Sequence, residues 1–321
     1  TMDGPIGDKS TFIVSARQSY LQLLFKFIGL PFLPTYNDFQ IKYKYQIDPK
    51  NELSIIGLGA IDNMKLNTDL QEDGTEAQRY LLDYLPVYQQ WNYTIGAVYK
   101  HFSTNYFDTW VLSRNMLRNG NFKYPDNDET QPKVSDYRSD ETENKFRFER
   151  SYPDLPVKLL FGGGITYSYY ENETNRKIFS NGSLNDLIYN TELNLWSYQA
   201  FIQASDTYLN NRLSLSLGLN TIGNNFNNNM KNPLNQVSPR FSVSYRLTDR
   251  WDINGNVGRY AMRPAYTTLG FKDASGEFVN KNENLKHIIS NQAIAGFAFE
   301  PNNKIRFNLE GFYKHYSNYP L

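Results

Sequence analysis

Phe39-Gln40-Ile41-Lys42-Tyr43-Lys44-Tyr45-Gln46-Ile47 alternates apolar and polar residues without a break. At 180° per residue, Phe39, Ile41, Tyr43, Tyr45 and Ile47 fall on one face of a strand and Gln40, Lys42, Lys44 and Gln46 on the other. Helical spacing does not fit. The pattern returns at Leu213–Leu219, Phe241–Leu247 and Lys304–Gly311. Weaker versions occupy Thr11–Tyr20, Leu53–Asn63, Gln90–Phe102, Phe107–Leu117, Asn144–Arg150, Val157–Tyr170, Glu192–Ala204, Trp251–Arg259 and Asn291–Glu300. The sequence therefore predicts an all-β chain of about thirteen strands.

The connections carry the next step. Short polar joints of hairpin type lie at Asp48–Asn51, Ser103–Asn105, Pro153–Pro156, Leu209–Asn211, Thr248–Arg250 and Pro301–Asn303. Between them come long polar stretches: Leu21–Asn37, Lys65–Leu85, Gly120–Glu143, Asn172–Asn190, Asn224–Gln236 and Pro264–His287. Compact soluble domains rarely hold repeated long loops. An antiparallel up-and-down transmembrane β-barrel has short turns on one rim and long loops on the other.

Strand chemistry points the same way. Val157, Leu159, Phe161, Gly163, Ile165, Tyr167 and Tyr169 share one face, ending in rings where an interfacial girdle belongs. Girdles account for the 25 Tyr and 21 Phe. The opposite faces, with Lys42 and Lys44 or Arg306, Asn308 and Glu310, are too polar for a dry core and suit a wide lumen. An extracellular β-sandwich or soluble glycan-binding β protein with one solvated face shows the same alternation, and the loop asymmetry favours the barrel.

Composition removes other classes. The chain has 321 residues with 33 Lys+Arg against 33 Asp+Glu, so no basic excess marks a nucleic-acid partner. It has no Cys, which excludes thiolate metal sites and disulfides. No apolar run reaches the roughly 18 residues of a transmembrane helix. The opening residues lack the pattern of a signal peptide. Thirteen strands would place the two ends on opposite rims and leave two open edges in lipid, so the sequence is expected to be part of a larger barrel. Asp3–Lys9 reads as a short turn entering a strand, which implies a further strand upstream.

Four segments carry a family resemblance. Gly4-Pro5-Ile6, Ser10–Tyr20 and Leu30–Gln40, with the closing Glu310–Leu321, resemble the barrel of TonB-dependent outer-membrane receptors of the Bacteroidetes type. The resemblance implies a barrel of about 22 strands with a plugged lumen, of whose single domain 1–321 is a part, and a Gram-negative outer-membrane location. It also implies energised uptake of a nutrient through a plug that contacts the TonB complex, with plug and remaining strands outside this segment. The alternative is a non-transporting outer-membrane barrel that docks partners in a secretion or surface-assembly complex. Expected neighbours are outer-membrane lipids and a surface lipoprotein or other envelope proteins.

No catalytic constellation or cofactor motif is present. His101, His287 and His315 are isolated, and Gly162-Gly163-Gly164 lies within a strand, where it marks a bend or close packing. Asp126-Asn127-Asp128-Glu129, with Asp136, Asp140, Glu141 and Glu143, offers hard oxygen ligands without a known calcium loop, so no metal is assigned. The sequons at Asn92, Asn172 and Asn181 are assigned no function. For ligand capture, the long loops and luminal strand ends offer cationic forks and rings: Arg118, Tyr124, Arg138, Arg259, Arg263 and Tyr266. Arg17 falls on the luminal face, where it faces a plug or forms a luminal ion pair. Leu21–Leu33 reads as a short helical insert on the outer rim.

Overall fold

The computed structural model describes residues 1–180, 182–273 and 275–320. Fourteen strands form one antiparallel sheet whose spatial order is the chain order, from β1 to β14. They are β1 (Met2–Ile6), β2 (Ser10–Gln18), β3 (Phe32–Asp48), β4 (Asn51–Leu66), β5 (Val87–Phe102), β6 (Phe107–Lys123), β7 (Ser135–Tyr152), β8 (Lys158–Ser180), β9 (Ser183–Tyr208), β10 (Leu213–Asn224), β11 (Ser238–Thr248), β12 (Trp251–Met262), β13 (Ile288–Asn302) and β14 (Ile305–Ser317). No helix among the described residues is long and apolar enough to cross a membrane.

The additional strand is β1. Gly7, at φ +63°, turns the chain so that Met2–Ile6 pairs with Ser10–Val14. What reads in sequence as a turn entering a strand is itself a hairpin, so the strand count is even and the odd-number argument about the chain ends does not apply. A second difference lies at Asn172–Asn190. Instead of a loop, β8 and β9 continue to 23 and 26 residues and meet at a tight turn containing Gly182 at φ +80°. The adjoining Asn181, with its sequon, and Leu321 lie outside the described residues. About 9–11 residues carry a tilted strand through a bilayer, so this hairpin reaches well past one.

Two compact units divide the chain: residues 1–99, 112–144 and 168–194, and residues 100–111, 145–167 and 195–321. In the first, the register Val14↔Ile41, Ala16↔Phe39 and Ile41↔Gly57 aligns the apolar positions on one face. Phe39, Ile41, Ile61, Ile95 and Leu112 are exposed on it, Leu112 to 63%. The alternate positions pair polar groups, such as Ser15↔Gln40 and Arg17↔Asp38. The connections here are ordered. α1 (Leu21–Phe27) occupies the predicted insert, and α2 (Leu70–Asp73) and α3 (Glu76–Tyr84) fill the β4–β5 connection. A capping box starts α3: Gln78 N–H donates to Thr75 Oγ1 and Thr75 N–H to Gln78 Oε1. Lys26 pairs with Asp69 at 2.7 Å and Gln78 Nε2 donates to the Gly29 carbonyl, joining the two helical connections.

The second unit repeats the two-faced pattern. Leu217 lies opposite Phe241, which lies opposite Val257, and Trp251 lies opposite Phe299, all on the apolar face. Ser216, Ser242 and Asn256 align on the polar face, where Asn256 Nδ2 donates to Ser242 Oγ at 2.8 Å. The β10–β11 connection holds α4 (Asn228–Lys231), and the β12–β13 connection holds α5 (Tyr266–Leu269) and α6 (Val279–Asn282). Met230, Leu269 and Phe226 pack this end tightly; such burial is worth roughly 1.5–3 kcal/mol per side chain.

Candidate functional site

In the first unit, β6 and β7 bring Arg118, Arg138 and Asp140 together. Arg118 grips Asp140 with two donors, Nε to Oδ1 at 2.6 Å and a terminal nitrogen to Oδ2 at 3.0 Å. Arg138 reaches the same Oδ2 from Nε at 3.2 Å and from its own terminal nitrogen at 2.8 Å. The carboxylate is 9% exposed beneath them. Arg118 alternates in register with Leu112 and lies over the Trp91 ring at 5.8 Å. Both arginines therefore share the apolar face. One-residue parity decides this, and the sequence around 118 (Asn115, Leu117, Asn119) is too mixed to reveal it.

Tyr124 lies apart from these arginines, beneath the helical connections. With Tyr88, Phe122, Lys123 and Asn127 it lines a cleft of about 460 Å³. Lys123 Nζ donates to the Leu82 carbonyl at 3.0 Å and to Asn127 Oδ1, tying this floor to α3. The acidic stretch beside it is occupied by its own turn. The Thr130 hydroxyl and backbone N–H and the Gln131 amide donate to Asp128 and hold its carboxyl below the ordinary range. Among the described residues no group of three or more His, Asp or Glu gathers as a metal site. Arg17 lies on the polar face and donates to Asp38 Oδ1 at 2.9 Å.

In the second unit, Arg263 stacks on Tyr266 at 3.6 Å, so these two candidates do meet. Arg259 shares the apolar face with Val257 and Ile253 and donates to the Asn235 carbonyl at 3.4 Å. Beside the Arg263 stack lies His287, 1% exposed, with Nε2 at 3.3 Å from Asn224 and its carbonyl accepting from Asn318. Burial, aided by the Arg263 charge, pushes the imidazole down to about 4. The isolated histidine of the sequence is thus a neutral packing group.

Sequence reasoning missed a polar-face groove in this unit. Arg147 stacks on Phe201 at 5.3 Å and pairs with Glu149, while Arg240 stacks on Tyr260 at 4.5 Å. These four side chains, with Gln199, Ser242 and Asn256 among others, line a cleft of about 460 Å³. Gly162 and Gly164 make room for it. A Cβ on Gly162 would overlap the Phe148 carbonyl and come within 2.9 Å of the Phe201 ring; on Gly164 it would meet the Phe146 carbonyl at 2.8 Å. The signal was the Arg147/Phe201 and Arg240/Tyr260 pairing across strands, which no local pattern contains.

Residues 19–321 match the model of the TonB dependent receptor-like β-barrel family. The chain belongs to that family. As a TonB-dependent receptor-type barrel it is an outer-membrane chain of a Gram-negative bacterium. Solved structures share the fold. The pyoverdine outer membrane receptor FpvA of Pseudomonas aeruginosa superposes with a TM-score of 0.69 at 13% identity, over 98% of this chain and 50% of that one. The siderophore receptor PirA of Acinetobacter baumannii gives 0.66 at 13%, over 98% and 49%. The copper transporter OprC gives 0.66 at 12%, over 95% and 48%. This receptor-type barrel chain thus spans about half the length of the solved structures it matches. No curated protein matches it.

Proposed function

We propose that the protein containing this chain is an outer-membrane TonB-dependent receptor that takes up a nutrient ligand through a plugged barrel, without covalent chemistry. The observation that supports this most is the family match over 19–321 on strands that separate a lipid face from a charged lumen. In this reading, residues 1–321 are part of a single barrel domain. The edge strands β1 and β14 are joined by further strands, and a plug docks on the polar face, with Arg17 beside Asp38 among its contacts. Ligand capture uses the loop cleft around Tyr124 and the Arg263–Tyr266 stack, and the Arg147–Arg240 groove faces the plug or the passing ligand.

The test is transport. A strain lacking the whole gene should lose growth on one limiting nutrient, be restored by the gene in trans, and not be restored when the inner-membrane motor is deleted. Restoration without the motor would favour the docking alternative. That alternative has one supporting observation: Leu23, Phe27 and Tyr84 on α1 and α3 stand exposed, Phe27 to 89%, as a surface for a lipoprotein or other envelope partner.

A further inference from the structure

The hairpin of β8 and β9 is closed along one edge and open along the other. On the β8 side the pairing holds almost to the tip, where Lys177 N–H donates to the Val134 carbonyl at 2.9 Å. On the β9 side β10 stops far earlier, with Asn224 opposite Ser197. Asn225 ends that ladder: its N–H donates to the Trp196 carbonyl at 3.0 Å and its Oδ1 accepts from the Trp196 N–H at 2.9 Å. The chain then turns away into α4, while β9 reaches back to Ser183. Among the described residues no further strand lies along this part of β9, whose neighbours in the sheet are β8 and β10 alone. Counted from the short turn after Tyr208, about 9–11 residues cross the hydrocarbon, so Leu184–Glu192 stands clear of it on the long-loop, extracellular side.

In an antiparallel ladder both backbone groups of every second residue point to the same neighbour. Trp196 gives both of its own to the β10 side, so Leu184, Asp186, Ile188, Asn190 and Glu192 aim theirs at the open edge. Such a row is a template for one more strand. The usual blunting devices are missing, since Leu184–Glu192 holds no Pro, Gly or Lys. Thr191, Leu193 and Leu195 bury the other face, whereas the alternate side chains are exposed, Leu184 to 63% and Ile188 to 67%. The exposed face is acidic. Tyr169 donates to Glu171 Oε2 at 3.2 Å and the Glu192 charge acts on the same phenol, so both carboxylates share this face with Asp186. Lys177 is the one cation that the alternation of β8 puts there, and the neighbouring Arg138 is taken by Asp140.

We propose that the β9 edge from Leu184 to Glu192 takes an extended, basic segment of another cell-surface protein as an added strand. Main-chain bonds hold the segment, cationic side chains at alternate positions answer Asp186 and Glu192, and an apolar one between them covers Ile188. A strand laid here lengthens the wall where β10 leaves it. It suits a resident partner, because a passing ligand would have to break every main-chain bond to move on. A second copy of this chain is a poor occupant, since it would set one acidic edge against another. The surface depends only on the strand order and stands whether or not the protein transports.

The test titrates the full-length protein, in neutral detergent, with three labelled and capped peptides, and reads binding by fluorescence anisotropy. One alternates Lys and Val, the second Glu and Val, and the third is the Lys–Val peptide N-methylated at every residue, which keeps the charge and loses the donors. The Lys–Val peptide should bind at least about tenfold more tightly than either of the others. Ile188→Pro/Asn190→Pro removes donors from the open edge and none from the side facing β8, and should weaken that peptide about tenfold or more. Asp186→Asn/Glu192→Gln should narrow the gap between the Lys and Glu peptides. If the proline variant disturbs the hairpin, Ile188→Lys keeps the strand, sets a cation at its centre and should weaken the Lys–Val peptide alone. Equal binding of the methylated peptide, which would mark charge attraction only, overturns the proposal, as does unchanged binding in both the proline and the lysine variants. Self-association of the protein that Ile188→Lys abolishes would also overturn it, by making the edge a contact between copies.

Discussion

A Cβ at position 162 has no free space, because the strand on one side and the Phe201 ring above already fill it. Gly162→Val should therefore cost about 1–3 kcal/mol by overpacking, read as a lower urea midpoint in lipid vesicles. Gly120→Val is the matched control, since a Cβ there meets only ordinary contacts from 3.6 Å. His287 gives a second prediction. It stays neutral in the folded chain down to about 4 and takes a proton near 6.5 when unfolded, so unfolding binds a proton between these values. Stability should fall as pH drops from 6.5 toward 4, and His287→Gln should flatten that slope in unfolding measured across the range. An unchanged slope would contradict the buried neutral imidazole. At this scale the candidate site was only partly legible. Arg263 and Tyr266 are three residues apart and could be paired by reading, whereas Arg118, Arg138 and Asp140 meet across two strands and on a face that a one-residue shift would reverse.

The β8–β9 hairpin shows which elements a sequence exposes. Lipid on one side and water on the other write the alternation, so Phe39–Ile47 and Leu213–Leu219 could be read at once. Beyond the bilayer both faces of a strand meet water, and Asn172–Asn190 becomes polar on both sides while keeping Thr, Ile, Phe and Tyr that suit a strand. The helical connections were hidden for a related reason: α1 and α3 are held by Lys26–Asp69 and Gln78–Gly29, made between connections, and by Lys123 at the end of β6 reaching the Leu82 carbonyl. Removing residues 173–190 and closing the hairpin with a two-residue turn should leave membrane insertion intact, as shown by heat-modifiable gel mobility. Leu82→Ala, at a side chain with no exposed surface, should cost about 2–5 kcal/mol of local packing. It should speed proteolysis within 67–86 while the strands stay resistant.

Over the whole molecule, the alternation of short turns and long connections makes a two-sided prediction that the absence of cysteine renders easy to read. Single replacements Lys50→Cys and Asn284→Cys place one thiol in a short turn and one in a long connection. A membrane-impermeant maleimide applied to intact cells should label Cys introduced at 284 and spare that at 50, and the reverse pattern would invert the membrane orientation argued above. The sheet order carries a further consequence. Every strand pairs with the one before it in the chain, so no pairing has to wait for a distant segment, and the widest gap to be bridged inside the order is the stretch 263–287. The entropy of bringing strands together stays small and nearly constant from one step to the next. Growth can then proceed as a zipper, each hairpin laid onto the edge left by its predecessor, with one advancing row of unpaired amides to be shielded at any moment rather than many.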